Sequence, residues 1–143
     1  MIVKKIHFVI DNTNKAKLFG RIISKKNKNY PPKICDVIVV LGGDGFMLQT
    51  LKKFQKFNKP FYGINSGTFG FLMNKFKTYD VIKNISKAKF VSISPLSMKV
   101  ITKTGKIYSN IAINEVSLLR QTRQTASLQI SIGEKTLIKK CLF

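Results

Sequence analysis

The stretch Ile38–Leu51, "IVVLGGDGFMLQTL", sets four apolar residues before three glycines and a single carboxylate, Asp44. The longer run "DVIVVL" (Asp36–Leu41) is almost wholly β-branched, the pattern of a strand covered on both faces. Behind the glycines, Met47, Leu48, Leu51 and Phe54 recur at helical spacing through "FMLQTLKKFQKF". A glycine-rich turn that leaves a buried strand and opens a helix lets a ligand approach the backbone. It also presents free N–H groups at the positive end of the helix dipole. Neither G-x-x-x-x-G-K-[ST] nor G-x-G-x-x-G occurs here, so neither standard phosphate loop applies. An aspartate in a bare phosphate cradle repels its ligand. Asp44 has two chemical readings, as a holder of a divalent cation that bridges phosphates or as the acceptor of a proton from an attacking hydroxyl. A solvated surface turn is the structural alternative.

Outward from this stretch the same alternation repeats. "IHFVI" (Ile6–Ile10) reads as a buried strand, and Asn12 or Thr13 in "DNTN" caps a helix running to about Ile23. "SKKNKNYPPK" is a surface loop whose prolines stop any helix. "KPFYGI" (Lys59–Ile64) gives a third strand, and "TYDVIKNISKA" a helix capped by Thr78. The fold class expected is α/β, a doubly wound parallel sheet. From about Phe90 the helical period disappears, and β-branched runs break at Thr104-Gly105 and Gly133-Glu134, both hairpin signals. The division expected is therefore an α/β domain over 1–94 and the start of an antiparallel β domain over 95–143. Two hairpins make a poor independent core, so this second domain reads as incomplete.

Composition narrows the partners. The chain of 143 residues carries 26 Lys+Arg against 6 Asp+Glu, a net charge of +20, with the lysines scattered rather than gathered in one arm. One reading is a polyanion partner, whether a nucleic acid, an anionic membrane surface or a phosphate-rich substrate. The other is that the AT-rich codons of Lys, Asn, Ile and Phe supply much of the charge, whose main effect is then to steer anions. No RNP-like aromatic motif, zinc pattern or clustered basic helix supports a nucleic-acid-binding module. No segment approaches the roughly 18 apolar residues of a membrane span, and the N-terminus lacks the h-region of a signal peptide. Cys35 and Cys141 form neither a metal-binding spacing nor a disulfide framework, which suits a reducing cytoplasm. The lone His7 lies in an apolar strand pattern and reads as structural.

Two further stretches carry candidate chemistry. "YGINSGTFGFLMN" (Tyr62–Asn74) follows the third strand, so it can lie beside the first glycine loop on the same sheet edge. Its Phe69, Phe71 and Leu72 either pack on a base and close a pocket or staple the loop to the core. In "IAINEVSLL" (Ile111–Leu119), Glu115 sits beside Asn114 in an apolar run that reads as a strand. A carboxylate there needs partners. The pair suits a nucleoside's sugar hydroxyls and base edge, or Glu115 sits at a strand-end bulge and pairs with a lysine.

Taken together, "GGDG" after a strand, "YGINSGTFGFL" one unit later and "INEVSLLR" in the β half resemble the NAD kinase family, in its order and approximate spacing. "GGDG" alone is shared with diacylglycerol kinase-like and phosphofructokinase-like proteins. A lipid kinase of that kind carries a P-x-G-T-x-N-D-like loop where this chain has "INSGTFGFL". The resemblance implies phosphorylation of the adenosine-ribose 2′-hydroxyl of NAD to give NADP, with ATP or polyphosphate as donor and a divalent metal cation, Mg2+, as cofactor. It implies that Asp44 is the general base and that Gly45 lines the NAD site. Phe71 would lie against the nucleotide, and Asn114 with Glu115 would form the NAD-binding pair. It implies a homo-oligomer in the full-length protein. The family continues into a "GDG…STPTGSTAY" stretch absent here, so the resemblance covers about the first half of a typical member and a truncated chain is expected.

Overall fold

The computed structural model describes residues 2–77 and 80–142. The chain divides into two compact units, Met1–Ser92 and Ile93–Phe143. In the first, β1 (Ile6–Ile10), β2 (Val37–Gly42), β3 (Phe61–Asn65) and the two-residue β4 (Asn74–Lys75) form one parallel sheet in the order β1-β2-β3-β4. The register pairs Ile6 with Val37 and Ile38 with Phe61. Every residue of β2 is buried, as its unbroken apolar run requires.

Helices cover both faces, so the sheet is doubly wound. Helix α1 (Asn14–Ser24) and helix α3 (Val81–Lys87) place Ala16, Ile23, Val81 and Ile85 in one core with Ile6, Phe8, Val37, Val39 and Leu41. Helix α2 (Asp44–Phe54) places Met47 in the other core with Ile38 and Val40, the alternate side chains of β2. Each fully buried Val, Leu or Ile side chain contributes about 1.5–3 kcal/mol relative to exposure. Thr13 caps α1, its hydroxyl accepting from the Ala16 amide at 3.3 Å. Asp80 caps α3 by accepting from the Lys83 amide at 3.2 Å. The expected cap, Thr78, lies outside the described residues.

The segment "SKKNKNYPPK" does more than connect. Asn29 bridges Ile6 on the outer edge of β1, its side chain accepting from the Phe8 amide at 2.9 Å. The chain then passes to the opposite face, where Tyr30 and Cys35 pack with Ile38 and Val40. The connection after β1 thus leaves on one face and the connection after β2 on the other. Such a divergence opens a crevice at the carboxyl ends of the two strands, the usual ligand position in an open α/β sheet. His7 is structural, its Nδ1–H donating to the Tyr30 carbonyl at 2.8 Å with its ring tilted against Phe54.

In the second unit, β5 (Leu96–Ile101) pairs antiparallel with β6 (Ile107–Ala112), and β7 (Ser127–Ile132) with β8 (Lys135–Leu142). The turns use Gly105 at φ 78° and Gly133 at φ 56°, conformations in which an added side chain is strained. Both hairpins fall where the turn signals stand in the sequence.

Two stability predictions follow from the packing. A Cβ on Gly63 would lie 2.5 Å from Met73 Sδ, 2.7 Å from Met47 Cε and 3.0 Å from the Leu72 carbonyl oxygen. The thioether ends can swing away, but the carbonyl moves only with its loop. Gly63→Ala should therefore cost about 1–3 kcal/mol by overpacking, read from urea unfolding. Separately, Asp36 Oδ2 accepts the amides of Lys4 and Lys5, each at 2.8 Å. These bonds hold the Asp36 carboxyl below its ordinary value of 3.8. A depressed folded value means that the stability it contributes is present above the unfolded value and is lost as pH falls through the folded one. Asp36→Asn should destabilise the chain at neutral pH, and the gap from the parent should close as pH drops below about 4.

Candidate functional site

The residues "GGDG" span the strand-to-helix junction rather than forming a free loop. Gly42 ends β2, Gly43 is the N-cap of α2, and Asp44 and Gly45 belong to the helix's first turn. The helix expected from Phe46 to Phe57 instead starts at Asp44, and its last three residues, Gln55–Phe57, tighten into a 3₁₀ turn. The N-cap makes no side-chain capping bond, and the Met47 amide is the one that returns to the Gly43 carbonyl, at 3.0 Å. The amides of Asp44, Gly45 and Phe46 precede the first helical donor, have no acceptor within the helix, and lie at the positive end of its dipole. A carboxylate at this position gains about 0.3–1 kcal/mol from that dipole.

Asp44 does something the linear pattern does not show. Its Oδ2 accepts the Phe71 amide at 2.7 Å and its Oδ1 accepts the Leu72 amide at 3.1 Å. The carboxylate therefore clamps the second glycine loop against the first. A solvated surface turn is excluded, because Asp44 is half-buried and both of its oxygens are engaged. Each oxygen accepts one amide and keeps a second lone pair. A Cβ on Gly70 would come within 3.1 Å of Asp44 Oδ1, so the loop's bare backbone allows the approach.

The second loop is held along its length. The Ser66 amide donates to the Gly42 carbonyl at 2.9 Å, and Asn65 Oδ1 accepts the Gly67 amide at 2.7 Å. Asn74 Nδ2 donates to the Gly63 carbonyl at 3.0 Å. From α1, Lys15 Nζ reaches the Gly67 carbonyl at 3.5 Å. The aromatics divide. Leu72 and Met73 pack into the α2 core, whereas Phe71 is 100% exposed and Phe69 89% exposed. Stapling thus holds for Leu72 and fails for the two phenylalanines, which stand free at the rim beside the amides that Asp44 grips.

Asp44, Gly45 and Phe71 are brought together in the first unit. Asn114 and Glu115 belong to the second, and here the sequence reading needs correction. Strand β6 ends at Ala112, so the pair lies beyond it in irregular chain and both residues are exposed. The apolar run "IAINEVSLL" carries the strand signal, but Val116, Leu118 and Leu119 are also exposed and add no strand. Glu115 therefore meets no burial penalty. The amides of Phe71 and Leu72 and the amine of Lys15 were not singled out by the sequence. Their positions depend on contacts spanning 27, 28 and 52 residues, which no local pattern encodes.

The fold and loops define an α/β domain whose strand-edge glycines meet around a single clamped aspartate. Residues 8–89 match the ATP-NAD kinase N-terminal domain. The chain is 42% identical over 142 residues to an NAD kinase of Zymomonas mobilis subsp. mobilis, covering 96% of this chain and 54% of the relative. It is 39% identical over 140 residues to an NAD kinase of Cereibacter sphaeroides, covering 98% and 55%. A Rickettsia conorii NAD kinase is 36% identical over 133 residues, covering 93% and 52%. This chain belongs to the NAD kinase family. It spans about half the length of the curated relatives it matches.

The clamp has a local readout. Asp44→Asn keeps one carbonyl acceptor but removes the charge and the second acceptor, where charge-assisted hydrogen bonds contribute about 1.5–3 kcal/mol each. Amide hydrogen exchange at Phe71 and Leu72 should accelerate about tenfold or more, while exchange within β2 should be unchanged.

Proposed function

We propose that this chain provides the catalytic aspartate and part of the nucleotide site of an NAD kinase. The reaction is transfer of a phosphoryl group from ATP or polyphosphate to the adenosine-ribose 2′-hydroxyl of NAD, giving NADP. The observation that carries this reading is the Asp44 clamp. Two donated amides fix the carboxylate at the strand edge and leave a lone pair on each oxygen. In this assignment Asp44 takes the 2′-hydroxyl proton as the sugar oxygen bonds to the terminal phosphorus. The bond from that phosphorus to the donor's bridging oxygen breaks, and ADP or a shortened polyphosphate leaves.

The other residues take supporting roles. The open first-turn amides of α2 meet phosphate oxygens, and Gly45, which has no side chain to obstruct them, lines the NAD site. The free ring of Phe71 lies against the nucleotide once it is bound. Asn114 and Glu115, in the domain that we assign to 95–143, bind the sugar hydroxyls and base edge, which suits their exposure. A divalent cation, Mg2+, when bound, neutralises charge on the donor phosphates. Among the described residues no three His, Cys, Asp or Glu side chains cluster to hold one. Such a cation would be held chiefly by the donor phosphates and water, leaving Asp44 for the proton.

Among the described residues no helix is long and apolar enough to cross a membrane. Both cysteines are free, which supports a reducing cytoplasm as the working compartment. We assign homo-oligomerisation to the full-length protein, and no specific nucleic-acid partner. A diacylglycerol kinase-like activity is disfavoured because the matched domain is that of the NAD kinases.

The test replaces the aligned half of the Zymomonas mobilis relative with this chain and follows NADP formation. Asp44→Asn in that chimera should slow turnover by about 10²–10⁴-fold, the usual contribution of a positioned base, while NAD still binds. Unimpaired turnover would sink the base assignment. NAD titrated into this chain itself should shift the amides of Gly43–Gly45 and Gly67–Leu72. A response confined to other residues would remove these loops from the site.

A further inference from the structure

A groove of about 390 Å³ lies along α1 beside the end of β1, and none of the residues lining it belongs to the two glycine-rich loops. Its floor is Ile10 and Gly20, and the two are in direct contact: a Cβ on Gly20 would fall 2.6 Å from Ile10 Cδ1. The absence of a side chain at Gly20 thus lets Ile10 pack directly against the helix backbone. One wall is a single helical stripe, Lys17, Arg21 and Ser24, spaced four and three residues apart. Asp11, half-buried just beyond β1, also lines the groove. Lys17 and Arg21 are exposed, and among the described residues neither head group has a carboxylate partner.

We propose that this groove is a second ligand site, separate from the Asp44 loops, for a small phosphomonoester that also carries sugar hydroxyls. Two unpaired cations one helical turn apart suit the doubly charged head of such a ligand. The planar guanidinium of Arg21 grips two phosphate oxygens and Lys17 adds a point charge. Asp11 is the only acidic residue lining the groove. An anion alone would be repelled by it, whereas a ribose accepts it well, because a carboxylate takes hydrogen bonds from vicinal hydroxyls. The apolar floor at Ile10 and Gly20 faces the sugar or base. A volume of this size is in the range of small-molecule sites. A nucleoside monophosphate meets all three requirements, and inorganic phosphate meets only one.

The test titrates AMP, inorganic phosphate and adenosine into the isotopically labelled chain. AMP should shift the amides of Gly20, Arg21 and Ser24, phosphate should shift the same set more weakly, and adenosine should leave it unmoved. Lys17→Gln combined with Arg21→Gln should weaken AMP by about tenfold to a hundredfold, the loss expected for charge-assisted hydrogen bonds. Asp11→Asn should weaken AMP but not phosphate. A control pair, Lys25→Gln with Lys28→Gln, removes equal charge elsewhere and should change nothing. Shifts confined to Gly43–Gly45 and Gly67–Leu72 would overturn the proposal, because AMP would then be occupying the Asp44 loops. An equal loss in the control pair would overturn it too, showing diffuse attraction to a chain of +20.

Discussion

The Asp44 carboxylate accepts two backbone amides from a loop 27 and 28 residues further along the chain. The arrangement of the sheet's carboxyl edge depends on this contact. Without it, the two glycine turns would be joined only at their roots, where the Ser66 amide donates to the Gly42 carbonyl. With it, they form one rim, with the helix dipole behind the carboxylate and bare glycine backbone on either side. Gly70 allows the close approach, Asn65 and Ser66 fix the start of the second loop, and Leu72 and Met73 anchor its end in the core. The free rings of Phe69 and Phe71 stand out from a loop that is otherwise tied down.

The sheet makes this rim possible through its winding. Asn29 pairs on the outer side of β1, after which Tyr30 and Cys35 carry the chain under the opposite face to β2. The first strand's exit thus runs to one face and the second strand's exit to the other. A turn loaded with glycine at that divergence is accessible to ligand, whereas the same turn on a singly covered sheet would be buried beneath the next helix. A carboxylate in a glycine-rich turn is explicable in these terms. It completes the scaffold by accepting two amides of the second loop, and each oxygen keeps a lone pair.

How much of this was legible depended on the range of the interaction. The strand Ile6–Ile10 and the buried run of β2 stand in the sequence because each is encoded by a local pattern, period two or continuous β-branching. The hairpins at Gly105 and Gly133 are equally local, since a positive φ selects glycine. The start of α2 was misplaced because its N-cap is a glycine that makes no side-chain bond, so no Ser, Thr or Asp marks the boundary. Glu115 was placed in a strand because Ile111, Val116, Leu118 and Leu119 mimic one, yet β6 ends at Ala112. The Asp44 clamp and the reach of Lys15 to Gly67 were invisible for a different reason. Both join segments whose proximity exists only after the sheet has formed.

The most direct measurement is scalar coupling through the hydrogen bonds, detected between the Asp44 carboxylate carbon and the amide nitrogens of Phe71 and Leu72. Couplings to both amides are expected in the free chain, the stronger to Phe71 at 2.7 Å than to Leu72 at 3.1 Å, and both are expected to persist when NAD is added. Loss of both couplings, with the two loops moving independently, would contradict the view that Asp44 builds the site it serves.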